Sequence, residues 1–256
     1  MADKFPISIV MLTHNKEHFV AKPLESVAWA DEIIVVDDFS VDKTAEIARI
    51  YTDKVFIRKM EIEGKHRNWA YAQAKHRWIL SLDDDELVTP ELAEEIKKVI
   101  SSDPPENGFT IPRRNYMGDY WIKYGGLYPS PQLRLFRKGK FKYEEVEIHP
   151  RAFMDDPRGE LKSDIIHYTY RDYSDFLAKL NKQTSLEALK WYRNNKPMTL
   201  GRFLWRTYDR FMRTYFGKQS RKDGFIGFLV AFNAGLYQFL SYLKYRELVF
   251  KDKLKK

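Results

Sequence analysis

The sequence predicts an α/β protein, a mostly parallel sheet flanked by helices, followed by a helical extension. Three observations predict it. Short apolar runs alternate with helical patterns through the first hundred residues. Three of those runs stop in polar clusters, at residues 13–15, 37–38 and 83–86. From Tyr173 onward the pattern is helical, apart from a break at 194–198.

The elements follow in order. Residues 7–12 form an apolar run, and so do 32–37, with Ile33, Ile34, Val35 and Val36 in succession. Such continuous runs suit strands covered on both faces. Residues 42–51 read as a helix carrying Ala45, Ile47, Ala48 and Ile50, with Asp42 as its N-cap candidate. A short strand at 55–57, a helix at 67–75 and a strand at 78–82 come next. A helix is predicted over 90–100: Thr89 caps it, Pro90 takes its first position and Glu91 lies in its first turn. Between 109 and 170 the helical period fades. Strand-like pieces at 109–112, 132–137 and 165–170 are punctuated by Gly and Pro. In sheets of this kind ligands bind beyond the carboxyl ends of the strands. The three polar clusters lie at such ends, which predicts one shared site rather than three unrelated loops.

Composition narrows the function classes. With 256 residues, 44% of them hydrophobic, the chain can build a real core and is not a disordered segment. A net charge of +8 points to anionic partners: nucleotide phosphates, nucleic acid or anionic lipid. There is no cysteine, which excludes disulfides, thiolate zinc sites and cysteine nucleophiles. The N-terminal residues enter an apolar strand without a signal-peptide pattern, so the expected location is inside the cell.

The clusters suggest chemistry. Asp83, Asp84, Asp85 and Glu86 end the strand 79–82. Continued as an extended chain, Asp83 and Asp85 would point the same way and seat a hard divalent cation, Mg²⁺ or Mn²⁺. Asp37 and Asp38 can accept hydrogen bonds from a base or a ribose, while Ser40 or Asp42 caps the next helix. Lys65 and Arg67, at the opening of a helix, suit phosphate by dipole and charge.

These stretches resemble the family 2 glycosyltransferases with the GT-A fold. The match runs through Ser8 to Asn15, Val35 to Thr44 and Leu82 to Glu86. More closely, the chain resembles bacterial lipopolysaccharide core β-1,4-glucosyltransferases, through residues 113–118, 125–129, 132–137, 167–170 and 224–228. The resemblance implies a GT-A domain, a Rossmann-like mixed sheet, with a helical C-terminal extension. It implies inverting transfer of a hexose, glucose being the first candidate, from a UDP-sugar to a saccharide or lipid-linked glycan acceptor. Thr13, Asn15, Asp37 and Asp38 would then meet the nucleotide. Lys65 and Arg67 would lie near the base or the diphosphate, Asp83 and Asp84 would belong to the nucleotide-sugar site, Arg134 would lie near the diphosphate or the acceptor, and Asp83 and Asp85 would hold the metal. Where the group usually carries Val-His-Glu, this chain reads Ile148-His149-Pro150. The general base that the acceptor hydroxyl requires is therefore sought at Glu147 first, then at Glu145 or His149.

The tail carries its own signal. Arg202, Arg206, Arg210 and Arg213 recur at helical spacing, and ten basic residues face one acid, Asp209, between Lys190 and Lys222. Phe225, Phe228, Leu229, Phe232, Leu236, Phe239, Leu240 and Leu243 form an apolar stripe opposite Gly227, Ala231, Gly235, Gln238 and Tyr242. One-sidedness favours lying in an anionic membrane interface, or packing on the catalytic domain, over spanning. The expected division is a catalytic domain at 1–170, with a nucleotide-binding half at 1–108 and an acceptor half at 109–170, and a helical, membrane-associated extension at 171–256. The expected location is cytoplasmic, peripheral on the inner face of the cytoplasmic membrane. The rival enzyme readings are a polyprenyl-phosphate sugar synthase and a protein glycosyltransferase. A non-enzymatic nucleic-acid or lipid binder is the remote one, and no nucleic-acid partner is expected.

Overall fold

The structure is a computed structural model and describes residues 4–146, 151–195 and 197–254. In chain order the elements are β1 (Phe5–Thr13), α1 (Ala21–Ser26), β2 (Ala30–Asp37), α2 (Thr44–Ala48), β3 (Val55–Ile57), α3 (Glu63–Ala72), β4 (Trp78–Asp83), β5 (Glu86–Val88), α4 (Pro90–Ser101), β6 (Gly108–Ile111), β7 (Arg113–Met117), β8 (Tyr120–Trp121), β9 (Gln132–Arg137), β10 (Phe141–Tyr143), β11 (Ala152–Met154), β12 (Arg158–Glu160), β13 (Ile165–Tyr170), α5 (Tyr173–Arg193), α6 (Leu200–Met212) and α7 (Gly224–Lys253). They fall into two compact units. The first comprises residues 1–113 and 131–167, the second residues 114–130 and 168–256.

The first unit is built on a seven-stranded sheet in the order β12-β6-β9-β4-β1-β2-β3. Strands β1, β2, β3 and β4 run parallel, as continuous apolar runs between helices predict. Strand β9 runs antiparallel to both β4 and β6, so the sheet is mixed. Alternate residues of the central strands point to opposite faces. Ile9, Met11, Val35, Leu80 and Leu82 pack with Leu24, Ala48, Leu92 and Ile96 of α1, α2 and α4. Val10, Ile34, Val36 and Ile79 pack on the other face with Ala70 and Tyr71 of α3 and Phe136 of β9. The Thr89 hydroxyl accepts from the Leu92 N–H at 3.2 Å and caps α4 as the sequence indicated. Asp42 lies one residue before the cap position of α2, where its carboxylate accepts from the Thr44 N–H at 3.0 Å. Helix α1 is an addition to the sequence reading. It is a single short stretch containing Pro23, with no apolar period long enough to announce it.

The second unit holds the β7–β8 hairpin and the long helices. Its core gathers Trp191 of α5, Met198, Phe203 of α6 and Tyr242 of α7, with Phe203 and Tyr242 stacked at 4.2 Å. The break between α5 and α6 falls where the sequence placed it. A second break precedes α7, through a π-turn at Arg213–Gly217 and a 3₁₀ turn at Ser220–Asp223, with Gln219 at φ 56°. The sequence masks that break, because only Gly217 and Gly224 interrupt an otherwise helical composition. Helix α7 buries its small side, with Gly227, Ala231 and Gly235 inward, and exposes Phe225, Phe228, Phe232, Phe239 and Leu243.

Candidate functional site

Register explains why the polar strand ends meet. In the parallel ladder Thr13 pairs with Asp37 and Leu12 pairs with Asp83, so the tips of β1, β2 and β4 end level. Beyond them lies a cleft of about 360 Å³, lined among others by Thr13, His14, Asp38, Asp83, Asp84 and Asp85.

The β1 and β2 tips brace each other. The Asp38 N–H donates to the Thr13 carbonyl at 2.9 Å. Asn15 sits at φ 51°, a left-handed conformation Asn tolerates. Its N–H donates to the Ser40 hydroxyl at 2.8 Å, and its side-chain oxygen accepts from the Val41 N–H at 2.9 Å. The Asp37 carboxylate accepts from both the N–H and the hydroxyl of Ser40. The Asp38 carboxylate accepts from the Met60 N–H at 2.7 Å and faces the cleft. His14 Nδ1 lies 2.6 Å from the Asp38 carbonyl, which can only accept, so this nitrogen carries the proton.

The acidic stretch departs from the extended geometry drawn from sequence. Asp83 ends β4, Asp84 and Asp85 form a turn, and Glu86 begins β5. The four acids therefore divide into two pairs, Asp83 and Glu86 sharing Arg134, and Asp84 and Asp85 sharing Lys16. Asp83 receives Arg67 Nη2 at 2.9 Å and also Arg134 Nη2. Burial pushes its carboxyl up, but Arg134 and Arg67 outweigh burial and hold it well below the usual carboxylate range. Glu86 is fully buried and accepts from Arg134 at 2.7 Å, from Arg113 at 3.2 Å and from the Asp83 N–H at 3.1 Å. Asp84 receives Lys16 at 3.2 Å and the His14 N–H at 3.3 Å, yet burial leaves its carboxyl raised. Asp85 has His167 Nε2 of β13 at 3.5 Å and Lys16 at 4.0 Å. Burial opposes its ionisation, but the His167 contact and Lys16 outweigh it and lower its pKa.

Helix α3 forms another wall. It begins at Glu63, four residues before the sequence-drawn start, so Lys65 and Arg67 lie within its first two turns. Glu63, His66 and Arg67 recur on one face and line the cleft. Lys65 sits off that face and is exposed. The buried His66 ring accepts from Arg58 at Nδ1, at 2.9 Å. Its Nε2 has no hydrogen-bond partner among the described residues. Burial and the neighbouring Arg58 depress its pKa, so the ring is neutral and Nε2–H is a donor held at the cleft. Gly64 permits the close approach of the chain after β10: a Cβ there would lie 2.0 Å from the Glu144 carbonyl. Asn68 fastens that chain, donating to the Tyr143 carbonyl at 2.9 Å and to Glu145 at 3.2 Å. Glu145 is exposed; Glu147 and His149 lie outside the described residues.

Residues 8–154 match the model of glycosyl transferase family 2. The chain belongs to this family. This transferase is 24% identical over 251 residues to a lipopolysaccharide core biosynthesis glycosyltransferase, LpsC, of Rhizobium meliloti, across 95% of this chain and 93% of that one. It is 32% identical over 96 residues to the poly(ribitol-phosphate) beta-N-acetylglucosaminyltransferase TarS of Staphylococcus aureus, across 33% of this chain and 17% of TarS. A crystal structure of S. aureus TarS 1–349 in complex with UDP-GlcNAc superposes with a TM-score of 0.51 at 14% identity, across 98% of this chain and 93% of that one. The shared fold is GT-A: a mixed α/β sheet, with a helical C-terminal segment in this chain.

Several groups of the transferase's cleft owe their partners to pairing between distant parts of the sequence. His167 sits 82 residues from Asp85, and only the pairing of β13 with β5, which matches His167 to Glu86, brings them together. Lys16 is an ordinary loop residue, and His14 one member of the polar cluster 13–15, until the turn at Asp84–Asp85 comes within reach of both. Arg134 is buried beneath the turn at 5% exposure, with both Asp83 and Glu86 as partners.

Proposed function

We propose that the transferase moves a hexose, with glucose as first candidate, from a UDP-sugar to a saccharide acceptor of lipopolysaccharide core or a related envelope glycan, with inversion. The observation that carries this reading is the single cleft onto which Thr13, Asp38 and the turn Asp83–Asp85 all open. Asp38, with Thr13 beside it, supplies acceptors for a base and ribose. The neutral His66 Nε2–H donor and the cations Arg67 and Lys16 supply partners for a diphosphate. The similarity to a lipopolysaccharide core glycosyltransferase over nearly all of both chains supports the acceptor class.

A divalent cation, Mn²⁺ or Mg²⁺, fits the donor set of the turn. Among the described residues no three such donors already converge on one point. Asp83 has both oxygens engaged by guanidinium groups. Asp85 and His167, 3.5 Å apart, would hold the ion, with Asp84 adjacent. Two protein ligands leave coordination positions for phosphate oxygens and water. When bound, the ion supplies Lewis-acid stabilisation of the departing diphosphate. Lys16, between Asp84 and Asp85, keeps these carboxylates neutralised beforehand. The acceptor proton goes to a carboxylate or imidazole on the segment after β10, at Glu147, Glu145 or His149.

We place the transferase on the cytoplasmic face of an anionic membrane. The stretch Ser220–Asp252 is long and apolar enough to cross a bilayer by length and composition. Its exposed phenylalanines form one stripe, with Phe225 at 72% exposure, and its small residues are packed inward. That arrangement suits lying in the interface.

The deciding experiment is a thermal-shift panel of nucleotide sugars with and without Mn²⁺, followed by product analysis with a lipopolysaccharide acceptor. Stabilisation by a UDP-hexose that needs Mn²⁺ and disappears in Asp85→Ala is expected. An Asp85→Ala enzyme with full activity would overturn the metal assignment, and indifference to every UDP-sugar would overturn the donor.

A further inference from the structure

The second unit contains a cavity of its own, about 380 Å³, formed entirely by residues of 114–130 and 168–256. Its volume lies in the range of small-ligand sites. Most of its wall is apolar, from Ile122, Leu127, Phe176, Leu180 and Val230. Two cations also line it: Arg210 of α6, and Lys218, which follows the π-turn. The acids nearest them in the chain have other partners. Asp209 pairs with Arg213 at 2.7 Å, and Asp223 accepts from the Lys123 and Tyr124 N–H groups at 3.1 and 2.8 Å. Among the described residues no carboxylate pairs with Arg210 or Lys218.

A third group points into the same space. Asn233 lines the cavity at 4% exposure. Its side-chain oxygen accepts from the Tyr173 hydroxyl at 3.3 Å, which fixes the amide orientation. Its Nδ2 is buried and has no partner among the described residues. A buried donor left unmet costs about 1–3 kcal/mol, a penalty that an acceptor on a ligand removes.

The glycine pair Gly125-Gly126 sets the position of Lys218. Both residues have positive φ, 74° and 79°. The Gly125 N–H donates to the Lys218 carbonyl at 2.9 Å, and a Cβ on Gly126 would lie 2.8 Å from Lys218 Nζ. Helix α7 turns Val230, Asn233, Ala234 and Tyr237 to the cavity, at the spacing of one helical face. Its exposed phenylalanines lie on the opposite face.

We propose that this cavity binds an amphipathic phosphate, its aliphatic chain against the apolar wall and its phosphate between Arg210 and Lys218, with Asn233 Nδ2–H donating. The wall is too apolar for a free saccharide, and Arg210 and Lys218, both exposed and without a carboxylate partner among the described residues, select an anionic head over a neutral one. The site is independent of the nucleotide cleft and stands or falls separately from it.

The test is calorimetric titration of the full chain with n-decyl phosphate below its micelle concentration, with n-decyl maltoside and inorganic phosphate as controls. Saturable one-to-one binding of decyl phosphate is expected, at least tenfold tighter than either control. The surface double variant R210Q/K218Q should weaken it at least tenfold. Ala234→Phe, which fills the cavity and leaves both charges, should do the same while the Phe203–Tyr242 core keeps its near-ultraviolet circular dichroism. Displacement by dihexanoyl phosphatidylglycerol would assign the site to membrane phospholipid. Displacement by phosphate monoesters alone would assign it to a lipid-carrier phosphate, and both sustain the proposal. Equal binding of decyl maltoside, binding unchanged in R210Q/K218Q, or no saturable binding of decyl phosphate would overturn it. If Ala234→Phe does not fold, the charge variant decides.

Discussion

Arg134 Nη2 stands 2.7 Å from the Glu86 carboxylate, and the same nitrogen also reaches Asp83. Both Arg134 and Glu86 are almost closed to solvent. One guanidinium on β9 thus ties the end of β4 to the start of β5 and holds the turn carrying Asp84 and Asp85 from beneath. The pair is as much scaffold as site, because a buried charge pair is costly to break rather than profitable to make.

Replacing Arg134 by Met leaves the buried Glu86 and the half-buried Asp83 with one cation fewer each. A loss of about 3–5 kcal/mol of stability is expected for breaking such a buried pair. Urea unfolding at pH 7 measures it. A loss below 1 kcal/mol would mean that Arg113 and Arg67 alone satisfy both acids.

Neighbouring aspartates should show opposite pH signatures. Asp83 has a folded pKa below its unfolded value of about 3.9. Its stabilising contribution is present above that value and is lost as pH falls toward the folded pKa. Asp84 has a folded pKa raised by burial, so its contribution is full below about pH 3.9 and is lost as pH rises through the folded value. Asp84→Asn should therefore raise the melting temperature of the ligand-free protein at pH 7, and the gain should vanish below about pH 4. Asp83→Asn should lower it at pH 7. Melting curves from pH 3 to 8 read both, and the same sign for the two variants would contradict the assignment.

His167 and Asp85 should act together toward metal. His167→Ala and Asp85→Ala are each expected to weaken Mn²⁺-dependent stabilisation by a UDP-sugar at least tenfold, and the double variant little further, because partners in one site are not additive. Isothermal titration of Mn²⁺ in the presence of UDP checks this. Undiminished affinity in His167→Ala would remove that residue from the site.

A methyl group at Gly64 would collide with the Glu144 carbonyl at 2.0 Å. Gly64→Ala should force α3 and the chain after β10 apart, at a cost of about 1–3 kcal/mol typical of overpacking. It should also loosen the Asn68 clamp on Tyr143 and Glu145. Thermal unfolding gives the stability, and faster hydrogen exchange at 143–146 gives the loosening.

Phe225, Phe228 and Phe232 are exposed on one face of α7. Changing all three to Ser should weaken flotation with phosphatidylglycerol vesicles at least tenfold and leave the melting temperature nearly unchanged. Wild-type binding should also fall as salt screens the basic residues of the tail. Equal flotation of the triple variant would exclude this face as the membrane contact.

Much of the fold was legible because its signals are local. The apolar runs of β1, β2 and β4, the Thr89-Pro90 start of α4, and the strand pieces at 132–137 and 165–170 each declare themselves within a few residues. Helix α1 and the break before α7 did not, since short irregular helices carry no period and two glycines alone do not announce a turn. In the cleft, the ends of the three strands were readable because parallel runs of similar length end level. The start of α3 was drawn four residues late, and this matters for Lys65: a helix turns 100° per residue, so Arg67 faces the cleft and Lys65 faces solvent.

By itself the sequence determined the class of the protein: alternating buried strands and helices, a family 2 signature spread over strand ends, and an acidic stretch at one of them. Only the tertiary structure decided how that stretch is divided. Asp83 and Glu86 turn to buried arginines, Asp84 to Lys16, and Asp85 to His167. The physical reason is range. Strand and helix formation depend on neighbours a few residues apart, whereas the charge state and direction of a carboxylate depend on partners 16 to 82 residues away that only sheet register brings within hydrogen-bond reach.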